Sequence, residues 1–303
     1  MFGCQSGTAV NSVENAENLQ KAVDYAVKSG KKLISTGGKA YYIGKEVVIN
    51  GPVNIDLGMA SVVATDTITM MSISYKLRVG YNGAIKGIVF NMNKKAKCAL
   101  RSQQAIKMHI SECDINNVPK NGCGIAIESG YEMMIDNIHI LGGEDYATGI
   151  RINTSDCHFS DCVMINCKTA IYNFGSNIYD RIHAWIGNKG EWLRGSTFFC
   201  LKGGDCYLNQ CCSDTYDTAF EFQSNGIVMI NQLKHIQNPV MWNEKHADMH
   251  PTVFRFNNQS VNRTKVYVTN SVISGIKYKN IQKQQLTNIS KGFVEYSGTV
   301  ISL

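Results

Sequence analysis

The feature that most constrains this chain is a short apolar segment that recurs along its middle. Each copy begins with a small residue or threonine and continues with closely spaced apolar residues. The copies are CGIAIES (123–129), TGIRINT (148–154), TAIYNFG (169–175), TFFCLKG (197–203), TAFEFQS (218–224) and TVFRFNN (252–258). Their central Ile or Phe falls at positions 125, 150, 171, 199, 220 and 254, so successive copies are 25, 21, 28, 21 and 34 residues apart. Spacing of this kind is typical of repeat architectures.

A second apolar segment precedes each copy, with alternation such as Met133, Ile135, Ile138 and Ile140. A period of two predicts strands that bury one face. A repeat of 21 residues has no room for a helix and two strands, so each repeat is predicted to be a coil of short strands and corners. Stacked coils form a parallel β-helix, which is an all-β solenoid. The alternative, a β-propeller, needs about 40 residues per blade and hairpin turns, and no Asn-Gly or Asp-Gly pair recurs at that period.

Residues 15–30 predict a helix in front of the strands. Leu19, Ala22 and Val23 share one face, and Gly30 is a typical stop signal. Such a helix can cover the open end of a solenoid, whose unpaired strand edge would otherwise recruit other chains. The predicted organisation is 1–30 as N-terminal segment and capping helix, 31–275 as β-helix, and 276–303 as an irregular coil that ends in a strand.

Composition narrows the classes of function. Hydrophobic residues make up 44% and charged residues 18%, which is typical of a folded chain. No run of about 18 apolar residues predicts a membrane span, and the start lacks the pattern of a signal peptide. The net charge of +6 is spread thinly, so nucleic-acid binding is not predicted. Eleven cysteines without a CxxC pair predict reduced thiols, with Cys113, Cys162 and Cys211 in one inward column of the core.

The run ENLQKAVDYAVKSGKKLISTGGKAYYIGKEVVI (17–49) resembles the opening of pectate-lyase-like right-handed parallel β-helix proteins. In that superfamily a helix with alanines at this spacing leads into a glycine turn and two further strands. Together with the repeats, the likeness covers roughly residues 15–275 and is closest to phage tailspike polysaccharide depolymerases. It implies a right-handed β-helix that acts on polysaccharide, with pectic enzymes and epimerases as other branches.

Departures from the shortest repeat mark loops on one face of a solenoid, which is often the binding face. We call the recurring apolar segment the TxF strand. Insertions at 187–196 and 237–251 both interrupt the coil just before a TxF strand. The coil between these two has only Ser213–Asp217 before its TxF strand. The sequence therefore predicts a groove between two raised corners, with Asp214 and Asp217 on its floor.

The predicted walls of this groove suit a carbohydrate. Trp185, Trp192 and Trp242 are all the tryptophans of the chain, and each belongs to this corner or its loops. An exposed indole offers a flat apolar face to a sugar ring and an N–H to its hydroxyls. The alternative is that the indoles pack the loops against the coil. Arg194, on the first loop, is predicted to pair with the anionic groups of an acidic glycan.

Cleavage of a glycosidic bond needs two carboxyl groups in different environments. Glu191 lies on the first loop, one coil before Asp214 and Asp217. An acid on an insertion followed by Asp-x-x-Asp on the next coil resembles phage tailspike endoglycosidases. The prediction is Glu191 as proton donor and Asp214 or Asp217 as the base that activates water. The alternative is that the two aspartates form an ordinary solvated turn.

Three further side chains are predicted to contact substrate. His183 and Arg181 belong to an outward row of polar residues on successive coils, and Lys234 lies two coils later. One interpretation is that this row lengthens the sugar-binding surface. The alternative is that it is simply a row of polar side chains on a sheet face that is exposed to solvent. If the protein were a lyase, His183 or Lys234 would be its base, and Ca²⁺ would be its cofactor. Otherwise no cofactor and no metal site are predicted.

The sequence thus predicts an endo-acting glycoside hydrolase that depolymerises a bacterial surface or other acidic polysaccharide. The alternatives are a polysaccharide lyase and a non-catalytic glycan-binding or adhesion module. The resemblance implies a homotrimer, and a place in the virion tail if a phage encodes the chain. For a cellular protein, the missing signal peptide predicts the cytoplasm.

Overall fold

In the computed structural model the chain is a parallel β-helix of about nine turns preceded by one helix, which confirms the predicted fold class. The structure describes residues 3–74, 83–187, 192–237, 246, 249, 251–257, 264–275, 285–288 and 294–302. Among these residues, no helix has the length and apolar character that crossing a membrane requires.

The helix α1, Ser12–Ser29, covers the first coil of the solenoid. Leu19 and Val23 on its inner face are buried in the main hydrophobic core. Gly30 ends the helix with a left-handed backbone (φ 65°), a conformation that glycine adopts without a steric penalty. The predicted helix and its stop signal are therefore confirmed.

The strands are short and follow one another around each coil. The first fifteen are β1 Leu33–Ile34, β2 Ala40–Ile43, β3 Val47–Ile49, β4 Asn54–Ala64, β5 Thr69–Ile73, β6 Gly83–Asn91, β7 Cys98–Ser102, β8 Ala105–Ile106, β9 Met108–Val118, β10 Cys123–Ile127, β11 Gly130–Tyr131, β12 Met134–Gly142, β13 Thr148–Ile152, β14 His158–Ser160 and β15 Val163–Ile165. The others are β16 Thr169–Phe174, β17 Asn177–Asp180, β18 His183–Trp185, β19 Thr197–Gly203, β20 Cys206–Asn209, β21 Cys212–Asp214, β22 Thr218–Phe222, β23 Gly226–Asn231, β24 Lys234–Ile236, β25 Thr252–Phe256, β26 Thr264–Thr269, β27 Val272–Ser274, β28 Gln285–Thr287, β29 Val294–Ser297 and β30 Val300–Ser302.

The smaller of the two large sheets contains the repeated TxF strands, one per coil, from β3 to β28. All pairings are parallel, and the central residues of the motif meet in one register from Ile125 through Ile171 and Phe220 to Phe254. The alignment made on the sequence is therefore the alignment of the coils in space.

The larger sheet bends once per coil, so it has a first and a second half. At each bend one residue has a left-handed backbone, as in Asn137 (φ 51°), Asp161 (φ 51°), Arg181 (φ 53°) and Gln232 (φ 55°). Short polar residues tolerate this conformation better than β-branched ones. The second half consists of β15, β18, β21, β24, β27 and β30, together with the C-terminal parts of the longer early strands.

The core inside the coils is narrow, and small apolar groups and stacked rings fill it. Cys113, Cys162 and Cys211 are buried in one column of the larger sheet, as predicted. Phe220 and Phe254 stack on successive coils with ring centroids 5.4 Å apart. All eleven cysteines are free thiols.

The last coils continue the same register. Strands β29 and β30 pair in parallel with β26 and β27, so the solenoid extends into residues 276–303, which the sequence analysis assigned to an irregular coil that ends in a strand.

Candidate functional site

The corner predicted to carry the chemistry is the turn 215–217, between β21 of the larger sheet and β22 of the smaller one. Thr215 is 1% exposed, Tyr216 0% and Asp217 7%. The Tyr216 hydroxyl donates a hydrogen bond to the Cys167 carbonyl inside the coil, at 3.4 Å. The part of the predicted floor that follows Asp214 is therefore buried. Much of both insertions lies outside the described residues, so the groove between them stays a prediction.

On the side of the larger sheet, the predicted residues occupy two neighbouring columns. Trp185 is paired with Asp214, and His183 with Cys212 and then Lys234, each one coil apart. The rings of His183 and Trp185 lie 4.7 Å apart between centroids. Trp185, His183 and Asp214 are half-buried and Lys234 is exposed. The structure thus brings four predicted site residues onto one outer surface.

The surroundings of His183 on this surface change the pKa of its imidazole. Burial lowers the pKa of His183, the charge of Asp214 raises it, and the charge of Lys234 lowers it further, with a net decrease. His183 is therefore neutral at neutral pH. Asp214 accepts a short hydrogen bond from the Thr215 hydroxyl.

On the side of the smaller sheet, Asp217 is enclosed by donors and cations. Its Oδ2 accepts a hydrogen bond from the Gly195 N–H at 2.8 Å, and its Oδ1 lies 3.9 Å from Nη2 of Arg255. Burial raises the pKa of Asp217, although Arg255, the Gly195 amide, Arg194 and Lys168 each oppose that increase. The net direction is upward, which favours the protonated acid relative to an ordinary aspartate.

The loop segment 192–196 is held against the solenoid by a buried lysine. Lys168 pairs with Asp145 at 3.1 Å and donates to the Trp192 carbonyl at 3.0 Å. Trp192 is 9% exposed and Leu193 is 0% exposed. The exposed indole predicted for Trp192 is therefore not found. The alternative stated for it, packing of the loop onto the coil, describes its position.

Sequence analysis missed a pair of charged residues beside Asp217. Glu221 and Arg255 are neighbours on β22 and β25, and both are half-buried on the outer face of the smaller sheet. The Glu221 carboxylate lies 3.4 Å from the Thr197 hydroxyl and accepts a hydrogen bond from Gln223 at 2.6 Å. The signal was present, since each is the charged fourth residue of an otherwise apolar TxF motif.

Arg181 lies apart from the corner. It sits at the bend of the larger sheet, where its guanidinium donates two hydrogen bonds of 2.7 Å to Asp161, one coil earlier, and a third to Asp180. This fork lowers the pKa of Asp161. Arg181 thus has two carboxylate partners of its own.

Two predicted residues, Glu191 and Trp242, lie outside the described residues, and their roles stay predictions. Over the described ranges, no group of three His, Cys, Asp or Glu side chains could hold a metal ion.

Comparison with solved structures identifies proteins of similar fold. A tailspike protein variant of E. coli bacteriophage HK620 matches with a TM-score of 0.62 and 9% identity, over 99% of this chain and 65% of that one. The gp42 tailspike of Acinetobacter phage vb_AbaP_AS12 matches with a TM-score of 0.62 and 12% identity, over 99% of this chain and 60% of that one. An HK620 tailspike variant in complex with a hexasaccharide matches with a TM-score of 0.58 and 8% identity, over 94% and 61%.

This chain therefore spans less than two thirds of the length of these tailspikes. At such low identity the likeness establishes a shared fold. No protein-family model matches the sequence, and a search of curated proteins also finds no match.

Proposed function

We propose that the protein recognises a polysaccharide beside the corner and cuts it by hydrolysis, as an endo-acting glycoside hydrolase. The observation that carries the proposal is Asp217, a carboxyl group at the corner between the two sheets that is 7% exposed and whose pKa is raised by burial. A glycosidase needs such an acid to protonate the leaving oxygen. The tailspike fold supports the proposal, because one similar tailspike was solved with a hexasaccharide.

This proposal gives the predicted residues separate roles. Asp217, which the sequence offered as a base, is better placed as the proton donor, since its pKa is raised. Trp185 presents an apolar face to a sugar ring. Lys234 is exposed and Arg194 lies on the loop, so both are proposed to pair with an acidic glycan. Glu191 remains a proposed acid on the same loop.

A lyase is the second candidate function, and the neutral imidazole of His183 favours it. A neutral histidine beside a cation such as Lys234 can remove the proton next to a uronate carboxyl. No described residues are assigned to the Ca²⁺ that this alternative would use. A binding module remains the third proposal, because Trp185 and Lys234 would serve binding as well as cleavage.

A single experiment separates these functions. Purified O-antigen and capsular polysaccharides are incubated with the protein, and products are analysed by size and by chemistry. Hydrolysis yields shorter chains with new reducing ends and no ultraviolet absorption. A lyase yields an unsaturated uronate that absorbs in the ultraviolet, and a binding module retains the chain at full length. Unsaturated products or uncut, retained chains would refute hydrolysis.

We also propose that copies of the chain associate along the first half of the larger sheet, as a homotrimer at a virion tail. Met134, Ile178, Tyr207 and Met229 share a straight column on its outer face and are 53%, 47%, 40% and 51% exposed, and the half-buried His158 lies in the same column between Met134 and Ile178. Exposed apolar patches of this kind mark interaction surfaces. We call these four residues the apolar column.

The borders of the apolar column favour a second copy as its partner. A surface cavity of about 530 Å³ is lined by Ile178, Tyr207 and Met229 of the column and, along one border, by Asp156 and Asp205. Asn209 and Asn231 form a hydrogen-bonded ladder on the other side. In a cyclic trimer whose symmetry axis runs parallel to the solenoid, the border of one copy that carries the aspartates faces the border of the next copy that carries the asparagines. The carboxylates of Asp156 and Asp205 would then meet the amides of Asn209 and Asn231.

A further inference from the structure

We propose that Glu221 is the general base of the hydrolytic site and that it works with Asp217 across Arg255, on the outer face of the smaller sheet. This inference rests on the proposed function and names the second carboxyl group of its site. It replaces Asp214, which the sequence offered as a base. The surface concerned consists of Asp217, Glu221, Arg255, Thr197 and Thr218, and we call it the outer-face site.

The two carboxyl groups border one strip of sheet. Glu221 leans towards the preceding coil, where its Oε2 lies 3.4 Å from the Thr197 hydroxyl. Arg255, beside Glu221 on the following coil, extends its guanidinium to within 3.9 Å of Asp217. Thr197 is paired with Thr218 on the next coil, about 4.8 Å away, and Asp217 directly precedes Thr218 in the chain. Both carboxyl groups therefore lie around Thr218 of β22.

Thr218 supplies an independent observation that points to a ligand. It is 0% exposed, and its Oγ1 has no hydrogen-bond partner. It is paired with Thr197, whose hydroxyl faces Glu221, so it occupies the same outer face one coil later. A buried hydroxyl without a partner costs free energy, and proteins rarely leave one unmet. A sugar hydroxyl or the attacking water would satisfy it.

The two carboxyl groups also differ in the way that hydrolysis requires. Asp217 is 7% exposed and accepts a backbone N–H, whereas Glu221 is half-buried and lies next to solvent. An enclosed acid with a raised pKa and a more open base are the two roles of a glycosidase pair. Arg255 is a positioning residue, because it is the register partner of Glu221 and its guanidinium lies 3.9 Å from the Asp217 carboxylate.

The chemical step balances with water as the only co-reactant. Glu221 removes a proton from water as the water oxygen forms a bond to the anomeric carbon. The bond from that carbon to the bridging oxygen breaks, and Asp217 transfers its proton to the leaving oxygen. Proton exchange with solvent then returns Glu221 to its anion and Asp217 to its acid. A separation of about 6.5–9.5 Å between the two carboxyl groups suits this inverting reaction.

Asp214 is less suited to act with Asp217. Its hydroxyl partner is Thr215, and its charge acts on His183, Cys212 and Tyr216 on the other side of the corner. The Asp217 side chain is surrounded by Gly195, Arg255 and other groups of the smaller sheet and the loop. Tyr216, directed into the core, separates the two sets.

The first test needs no substrate. Carbon-detected NMR of selectively labelled aspartate side chains gives the pKa of Asp217 in the wild type and in Glu221→Gln. Removal of the Glu221 charge is expected to lower that pKa, because a like charge disfavours the ionised form of its neighbour. Glu128→Gln is the matched control, since Glu128 is also half-buried and directly follows β10 of this sheet but pairs with Arg101, and it is expected to cause no shift. An unchanged Asp217 pKa in Glu221→Gln overturns the inference.

The second test uses a polysaccharide that the wild type cuts. Glu221→Ala is expected to lose at least about 100-fold in rate, and added azide or formate, as a small replacement anion, is expected to restore part of it. The Glu128→Gln variant, the control of the first test, is expected to stay within a few-fold of wild type. If Glu221→Ala keeps its rate, the inference fails and the proposed function survives. If the wild type cuts nothing, the proposed function fails, whatever the NMR result.

Discussion

At the residue scale, the chemistry of the corner depends on how much water each carboxyl group keeps. Asp214 and Asp217 are three positions apart, but Asp214 is half-buried and Asp217 is 7% exposed. The sequence identified both aspartates but could not rank their burial. That difference arises because Tyr216 turns into the core and the 192–196 segment folds over Asp217. Such tertiary contacts leave no local pattern in the sequence.

The raised pKa of Asp217 predicts a pH-dependent stability. With a folded pKa above the unfolded one, its contribution to stability is present below the unfolded pKa and is lost as pH rises through the folded pKa. Asp217→Asn has no such dependence and can still accept the Gly195 N–H. In thermal melts, the melting temperature of the variant relative to wild type should therefore increase between about pH 4 and pH 7. A constant difference would contradict a raised pKa.

The buried thiols predict low reactivity in the native state. Burial raises the pKa of Cys113, Cys162 and Cys211 to about 12, and thiolates are the reactive form. Iodoacetamide at mildly alkaline pH should modify Cys4 and Cys212 at most, because these two are half-buried. Mass spectrometry before and after unfolding checks the sites. Rapid native-state modification of Cys162 would contradict its place in the core.

At the scale of elements, the repeat made most of the solenoid predictable. The TxF strands meet in the register read from the sequence, since their apolar alternation permits only one face to be buried. The bend of the larger sheet, where one residue per coil has a left-handed backbone, was not predicted from the sequence. Arg181 and Gln232 occupy this position as well as Asn137, so no single residue type marks it. Glu221 was missed for a related reason: its strand was interpreted only as a core strand, although one face points outwards.

Close approach of successive coils predicts that certain glycines cannot be replaced. Gly204 has φ 85°, and an added Cβ would lie 2.2 Å from the carbonyl carbon of Gly175. Gly38 has φ 61° with no atom within 4 Å, so it is a control for backbone strain alone. Gly204→Ala should lower the free energy of unfolding by about 1–3 kcal/mol more than Gly38→Ala. Chemical denaturation measures both, and equal losses would refute the close contact.

At the scale of the whole molecule, the solenoid separates its surfaces. The proposed catalytic residues lie around the corner and on the smaller sheet, whereas the apolar column lies on the first half of the larger sheet. A cyclic assembly along that column would leave the corner open to a polymer.

Association along the apolar column predicts a charge-sensitive oligomer. Met229→Glu places a carboxylate in the column and should convert trimers to monomers at micromolar concentration, because burying unpaired charges is unfavourable. Met59→Glu is the matched control, since Met59 is 43% exposed compared with 51% for Met229. Sedimentation velocity measures both variants. A monomeric wild type, or a trimer that persists in Met229→Glu, would contradict association through this face.

The measurement that tests the central claim most directly is the cleavage rate of Asp217→Asn on a polysaccharide that the wild type cuts. Circular dichroism and thermal melts first establish that the variant is folded. Loss of the proton donor should reduce the release of reducing ends by about 100-fold or more, while retention of the uncut polysaccharide persists. A folded Asp217→Asn protein that cuts at the wild-type rate would show that the buried acid takes no part in the reaction.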